Sequence, residues 1–242
     1  MMIMLFELDS NLSEFIGAII GDGCLYGKHN KYVIMLTGNV CKDREYYNHL
    51  QKILMKMGIN FVQKIHSGGL RLIVHNKDLF IFLESGLGMK YKARKTYEVK
   101  IPKQILLSEE LTKSCLKGIF ATDGSIFTSN KPGSLDYPSI EITTVSKNLS
   151  EQLKSILASW DFRVRMRFYD PKNNRYKRTY RISLNGYKMI RKWYEEIGVS
   201  HPEKRLKFNS ILMGMEGFEP PTTRSSVTPL NGNPPNSSAL PS

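Results

Sequence analysis

The sequence predicts an α+β protein made of two tandem repeats, each running helix, two strands, helix, two strands, helix, with a tail behind them that forms no regular structure. Three observations carry this prediction. A nine-residue word, Phe15-Ile-Gly-Ala-Ile-Ile-Gly-Asp-Gly23, returns as Leu116-Lys-Gly-Ile-Phe-Ala-Thr-Asp-Gly124, and the pairs Gly17/Gly118, Asp22/Asp123 and Gly23/Gly124 share one separation. The hydropathy pattern that follows each copy is the same. From Gly214 onward, prolines among Ser, Thr, Asn and Gly replace aliphatic periodicity, which predicts disorder there.

Each word is an apolar run that reads as a helix. Behind it comes an alternating segment, Tyr32 to Thr37 or Ser139 to Thr144, as expected for a half-buried strand. Helical spacing follows, with Leu50, Ile53, Leu54 and Met57 in one copy and Leu149, Leu153, Ile156 and Leu157 in the other. Two further strand patterns come next, Asn60 to His66 with Leu70 to His75, and Phe162 to Tyr169 with Tyr176 to Leu184. A short helix closes each copy, Lys77 to Glu84 or Tyr187 to Ile197, ending at Gly86 or Gly198. Between the copies Pro102 breaks the pattern, and Ser108 before two acids looks like a helix start. The first repeat is therefore set at 1–100, a linker at 101–114, the second repeat at 115–213 and the tail at 214–242.

With 242 residues, 41% of them hydrophobic, the chain can fill a substantial core. Lysine plus arginine total 35 against 22 acids, a net charge of +13, which suits a polyanion: nucleic acid or an anionic membrane surface. The tail holds Arg224 against Glu216 and Glu219, so the basic character belongs to the part expected to fold. No apolar run approaches the roughly 18 residues that span a bilayer, and Met1 to Phe6 lacks the basic leader and length of an export signal. The expectation is a soluble protein of the cytoplasm, the nucleoid or an organelle. Cys24, Cys41 and Cys115 are too few and too scattered for a disulfide framework, which points to a reducing compartment.

The paired word carries the chemistry. Positions i and i+4 share a helix face, so Gly17 and Gly21 form a stripe of small residues, matched by Gly118 and Thr122, and the two helices are expected to pack closely on each other. Asp22 and Asp123 sit in the last turns, where the helix dipole disfavours an acid by about 0.3 to 1 kcal/mol. Gly23 and Gly124 read as left-handed caps. If the helix ends meet, two carboxylates and the terminal carbonyls of Gly21 and Thr122 form a negative pocket suited to a hard divalent cation, Mg²⁺ or Mn²⁺. Asp-Gly alone is common turn chemistry. Twice, in the same context, it points to function.

These two words resemble the duplicated motif of LAGLIDADG homing endonucleases, and the similarity of layout covers about residues 12 to 213. The resemblance implies a single-chain pseudo-dimer of two αββαββα units, with four-stranded saddles gripping double-stranded DNA across a pseudo-twofold axis. It implies that Asp22 and Asp123 bind metal and support hydrolysis of both strands. Ile20 and Ala121 stand where the family name has its first aspartate, a position that varies among members. The family places a basic residue after the last helix of each repeat. His201-Pro-Glu-Lys204 resembles that element, making Lys204 the candidate, and in the first copy the count from Gly86 gives Lys92, with Lys90 and Lys95 close by.

Arg163, Arg165 and Arg167 alternate with Val164, Met166 and Phe168, which puts three guanidiniums on one face of a strand. Arg175, Lys177, Arg178 and Arg181 extend this charge, and residues 161–192 hold eleven basic side chains against Asp161 and Asp170. The first copy offers Lys28, Lys31, Lys64, His66 and Arg71. Phosphate neutralisation and base readout are both open to these groups. The expected activity is metal-dependent double-strand cleavage of DNA at a long, imperfectly palindromic site by a monomer. Two alternatives share the surface: a maturase that folds intron RNA, and a DNA-binding regulator without catalysis.

The word Gly217-Phe-Glu-Pro-Pro-Thr222 can be encoded by GGA-TTT-GAA-CCN-CCN-ACN, which begins with the reverse complement of GGTTCAAATCC and so resembles the T-arm of a transfer RNA gene. One reading is that the frame runs antisense into such a gene; the other is an ordinary Pro-rich extension. On the first reading, the nucleotide sequence encoding residues 217–222 lies within a transfer RNA gene on the opposite strand, and codons outside any such gene refute it.

Overall fold

A computed structural model of the chain describes residues 6–89, 98–171 and 178–216. In the first repeat, helix α1 (Ser10–Asp22) leads into strands β1 (Gly23–Lys28) and β2 (Lys31–Asn39), then α2 (Arg44–Lys56), β3 (Phe61–His66), β4 (Gly69–Val74) and α3 (Lys77–Ile81), which runs on into a π-helical turn over Phe82–Gly86. A short α4 (Lys103–Leu106) joins the repeats. The second repeat has α5 (Glu109–Asp123), β5 (Gly124–Lys131), β6 (Ser134–Thr144), α6 (Lys147–Ser159), β7 (Val164–Tyr169), β8 (Thr179–Asn185) and α7 (Tyr187–Glu196), followed by α8 (Pro202–Glu216). Within each repeat the element order is the predicted one.

Side-chain caps start these helices where the sequence sets them. Asp9 accepts from the Leu12 N–H at 2.7 Å, and Ser108 accepts from the Leu111 N–H at 3.3 Å. The strands form two antiparallel four-stranded sheets, in the order β1-β2-β4-β3 and β5-β6-β8-β7. Alternation buries Leu25, Ile34, Leu36, Leu70 and Leu72 in the first sheet and Ile126, Ile140, Ile142, Ile182 and Leu184 in the second. Each sheet turns that apolar face to the helices, and its other face stays open. No helix among the described residues is long and apolar enough to cross a membrane.

α1 and α5 meet backbone to backbone. A Cβ placed on Gly17 would lie 2.1 Å from the Cys115 carbonyl oxygen, and one on Gly118 would lie 2.1 Å from that of Glu14. These contacts are related by the repeat, so the small-residue stripes do what their spacing predicts.

Several details differ from the sequence reading. Gly23 and Gly124 are extended, with φ −92° and −86°, rather than left-handed. Each helix passes straight into a strand, and a Cβ at either glycine would come within 2.4 Å of the carbonyl of Ile19 or Phe120. Gly198 does take the left-handed conformation (φ +83°), but in the first repeat that conformation falls at Gly88 (φ +69°), because the π-helical turn carries the chain past Gly86. α5 begins at Glu109, so residues 109–114 of the expected linker are its first turns. α8 was not predicted, although Pro202 at its first position and Glu203 in its first turn are start signals. That helix runs to Glu216, and the rest of the expected tail, 217–242, lies outside the described residues.

A prediction follows from the helix contact. Gly118→Ala drives a methyl group into backbone that cannot step aside, and should lower the unfolding free energy by about 1–3 kcal/mol in a denaturant titration. Gly214→Ala, on an open face of α8 with nothing within 4 Å, should be neutral or stabilise by up to about 1 kcal/mol.

Candidate active site

Because their backbones touch, α1 and α5 end side by side, and their last residues are Asp22 and Asp123. A Cβ on Gly21 would sit 2.0 Å from Thr122 Oγ1 and 3.4 Å from the carboxyl carbon of Asp123, so that carboxyl lies against the end of α1. Burial raises the Asp22 carboxyl to about 6, with repulsion from Asp43 adding to the rise and Lys204 opposing it. Burial likewise raises Asp123 to about 7, with Asp22 adding and Lys204 opposing. The two acids therefore share one site, as the paired word predicts.

Lys204 compensates part of this negative end. Its ammonium donates to the carbonyls of Phe120 at 2.8 Å, Ala121 at 2.7 Å and Thr122 at 3.3 Å, and so caps α5. Burial lowers its own pKa to about 8 against the pull of Asp43, Asp22 and Asp123. In the second repeat, part of the charge that a cation was expected to supply at the helix end thus comes from a side chain.

Two more residues meet here: Asp43, which no sequence pattern singled out, and His201, which the sequence reading named only as the head of the element that carries Lys204. Asp43 occupies the N-cap of α2 but makes no capping bond. Its Oδ1 instead pairs with Nε2 of His201 at 3.0 Å, and its Oδ2 accepts from the Asn39 N–H. Burial raises the Asp43 carboxyl, but the hydrogen bonds from His201 and Asn39 outweigh it and hold the group below its ordinary value. The imidazole is 2% exposed and stacks on Tyr46, with ring centroids 5.6 Å apart. The equivalent residue of the second repeat, Ser146, caps α6 through the Leu149 N–H and donates to the Val99 carbonyl at 2.6 Å. Each repeat is thus tied at this corner to a segment of the other. A cleft of about 250 Å³ opens beside the acids, lined by Asp43, Thr122, Ser125, His201 and Lys204 among others. An N-cap whose carboxylate ignores its own helix was the only signal available, and it is invisible before the fold is known.

The chemistry of the site fits a hard divalent cation in part. Two carboxylates with raised pKa, set among helix-terminal carbonyls, are oxygen donors that a cation would stabilise in the ionised form. No group of three or more His, Cys, Asp or Glu side chains among the described residues is arranged to hold a metal, so water and a substrate oxygen would have to complete the ligand set.

Pairing register places the basic candidates. In the first sheet, Lys28 pairs with Lys31, Lys64 pairs with Arg71 and His66 pairs with Gly69, all on the face opposite the buried leucines. In the second, Arg165 pairs with Ser183 and Arg167 with Arg181, on the open face, and Arg163 precedes them in phase. Arg181 is engaged with Glu141 at 2.8 Å. Arg178 is held bidentately by Asp170 at 2.7 and 3.0 Å, with its guanidinium over Phe168. Lys92, with Lys90 and Lys95, and also Arg175 and Lys177, lie outside the described residues.

Comparison with known proteins agrees with the fold. Residues 110–198 match the family described as LAGLIDADG-like domain. The fold is that of homing endonuclease I-DmoI, with a TM-score of 0.57 at 18% identity over 79% of this chain and 97% of that one. I-DmoI in complex with DNA and Mn gives 0.52 at 18%, over 81% and 99% of the two chains. The homing endonuclease I-WcaI, bound to its DNA recognition sequence, gives 0.52 at 15%, over 84% and 88%. Among curated proteins, the uncharacterized protein MJ1054 of Methanocaldococcus jannaschii is 28% identical over 200 residues, 79% of this chain and 21% of its own length. The chain spans about a fifth or less of the length of the curated relatives it matches.

The bond between repeats yields a test. His201→Ala leaves the Asp43 carboxylate short of a partner and empties a packed ring position, and should cost about 2–4 kcal/mol of unfolding free energy. Chemical denaturation of the purified variant measures this.

Proposed function

We propose that this chain is a site-specific homing endonuclease that makes metal-dependent double-strand breaks at a long, imperfectly palindromic DNA target. One observation carries the reading: the duplicated helices end side by side at Asp22 and Asp123, and the open faces of the two sheets are basic. The fold it shares with I-DmoI and I-WcaI supports the same reading, since both are homing endonucleases.

In this reading the basic faces follow the major groove, with Lys28, Lys31, Lys64, Arg71, Arg163, Arg165 and Arg167 neutralising phosphates or meeting base edges. Asp22 and Asp123, with the terminal carbonyls of Gly21 and Thr122, would hold Mg²⁺ or Mn²⁺. The cation, when bound, lowers the pKa of a coordinated water and stabilises the departing 3′ oxygen. Lys204 keeps the carbonyl end of α5 in place and sets a positive charge beside the acids. Asp43, held ionised by His201 and Asn39 and open to the cleft, is in position to orient a water molecule. Lys92 is proposed for the corresponding basic role in the first repeat. Because Asp43 is matched by Ser146, the two strands meet unlike surroundings.

Asp22→Asn and Asp123→Asn should each abolish double-strand cleavage while leaving DNA affinity within a few-fold of the parent. The assay is incubation with Mg²⁺ and a plasmid carrying the uninterrupted host locus, with cuts mapped by sequencing and binding followed by gel shift. Undiminished cutting by both variants overturns the assignment. A parent protein that binds intron RNA and cuts no DNA supports the maturase instead.

A further inference from the structure

The open face of the second sheet carries one residue that does not suit a surface built for phosphates. Glu141, in the middle of β6, faces outward between the buried Ile140 and Ile142. It shares a rung with Ser183, and Ser183 shares the next with Arg165. Around it the face forms a shallow concavity of about 240 Å³ that also takes in Arg165, Arg167 and Arg181. A carboxylate there repels a polyanion, so its presence calls for a partner that only a carboxylate serves.

The local geometry holds it in place. Oε1 lies 2.8 Å from Nε of Arg181, an ion pair whose N–H is not aligned for a hydrogen bond, and the Arg181 guanidinium lies 4.6 Å from the centre of the Tyr169 ring. Oε2 is approached by the Ser183 hydroxyl at 3.5 Å, a long contact, and among the described residues no other donor takes up its acceptor capacity. The side chain is 16% exposed and lines the concavity, so its carboxylate is reachable from that side. In the major groove, guanine offers only acceptors, and thymine offers an acceptor and a methyl group. The donors are the amino groups of cytosine and adenine. Adenine sets its N7 acceptor beside that amino group, facing a carboxylate that cannot donate. Cytosine sets a C–H there.

We propose that Glu141, positioned by Arg181 and Ser183, is a specificity-determining residue that accepts a hydrogen bond from the 4-amino group of a cytosine in the half of the DNA target gripped by the second repeat. This rests on the endonuclease reading above and adds a base identity to it. Arg181 acts through Glu141 as a positioning residue, while Arg165 and Arg167 remain free for guanine or phosphate.

The test is selection of bound sequences from a randomised double-stranded DNA library by the full chain in EDTA, which stops cleavage. The parent should enrich a motif with a fixed cytosine in one half. Glu141→Gln should shift that position toward adenine, since an amide presents a donor to N7 as well as an acceptor, and discrimination for cytosine should fall about tenfold. Glu141→Ser, too short to reach, should leave the position indifferent to all four bases. Every other position of the motif should stay as in the parent. The same motif from the parent and both variants overturns the proposal and makes Glu141 a mere counter-ion for Arg181. A parent that enriches no sequence at all overturns the endonuclease reading itself.

Discussion

The contact between the backbones of α1 and α5 is the constraint on which the rest of the molecule depends. Without Cβ atoms at Gly17 and Gly118, each helix rests on a carbonyl of the other, and their last turns cannot drift apart. Two consequences follow together. The carboxylates of Asp22 and Asp123 meet, and so do the negative ends of two helix dipoles. Packing that brings the repeats together thus creates an electrostatic problem of its own making. The apolar sheets on either side, closed by Leu36, Leu72, Ile142 and Leu184, supply the burial that makes the arrangement stable.

The problem is answered differently on the two sides. At the end of α5 the Lys204 ammonium takes three carbonyls at once. Near Asp22 a third carboxylate, Asp43, raises the negative charge further and is kept ionised by a buried histidine and a backbone N–H. Ser146 at the matching corner is neutral: it caps its helix and donates to the Val99 carbonyl. A duplicated scaffold has therefore acquired unlike halves without changing its topology, since both sheets keep the same strand order.

Much of the fold was legible in the chain because its signals are local and repeated. The words around Gly17 and Gly118, the two-residue alternation of the strands and the Ser108 cap all report on neighbours a few positions away, and each matches the structure. The extended conformation of Gly23 and Gly124 was not legible, because a glycine behind a helix usually marks a left-handed cap, and only the direct run into a strand excludes it here. The partnership of Asp43 with His201 was hidden for another reason. An aspartate just before a helix satisfies its local rule on paper, and the histidine that diverts it lies 158 positions away. Lys204 was picked out by resemblance, yet its bonds to the α5 carbonyls depend on α8, a helix whose start signals went unread.

The crossed ties at the two corners, His201 to Asp43 and Ser146 to Val99, bear on how such a protein can change over generations. Each half has surrendered part of its own integrity to its sibling, so neither is a module that recombination can trade freely. A transplanted half from a cousin would bring its own corner residues and meet a stranger's. Divergence is then channelled to the outer strands, which can vary without disturbing the union, while the junction ages in concert as a single inherited unit.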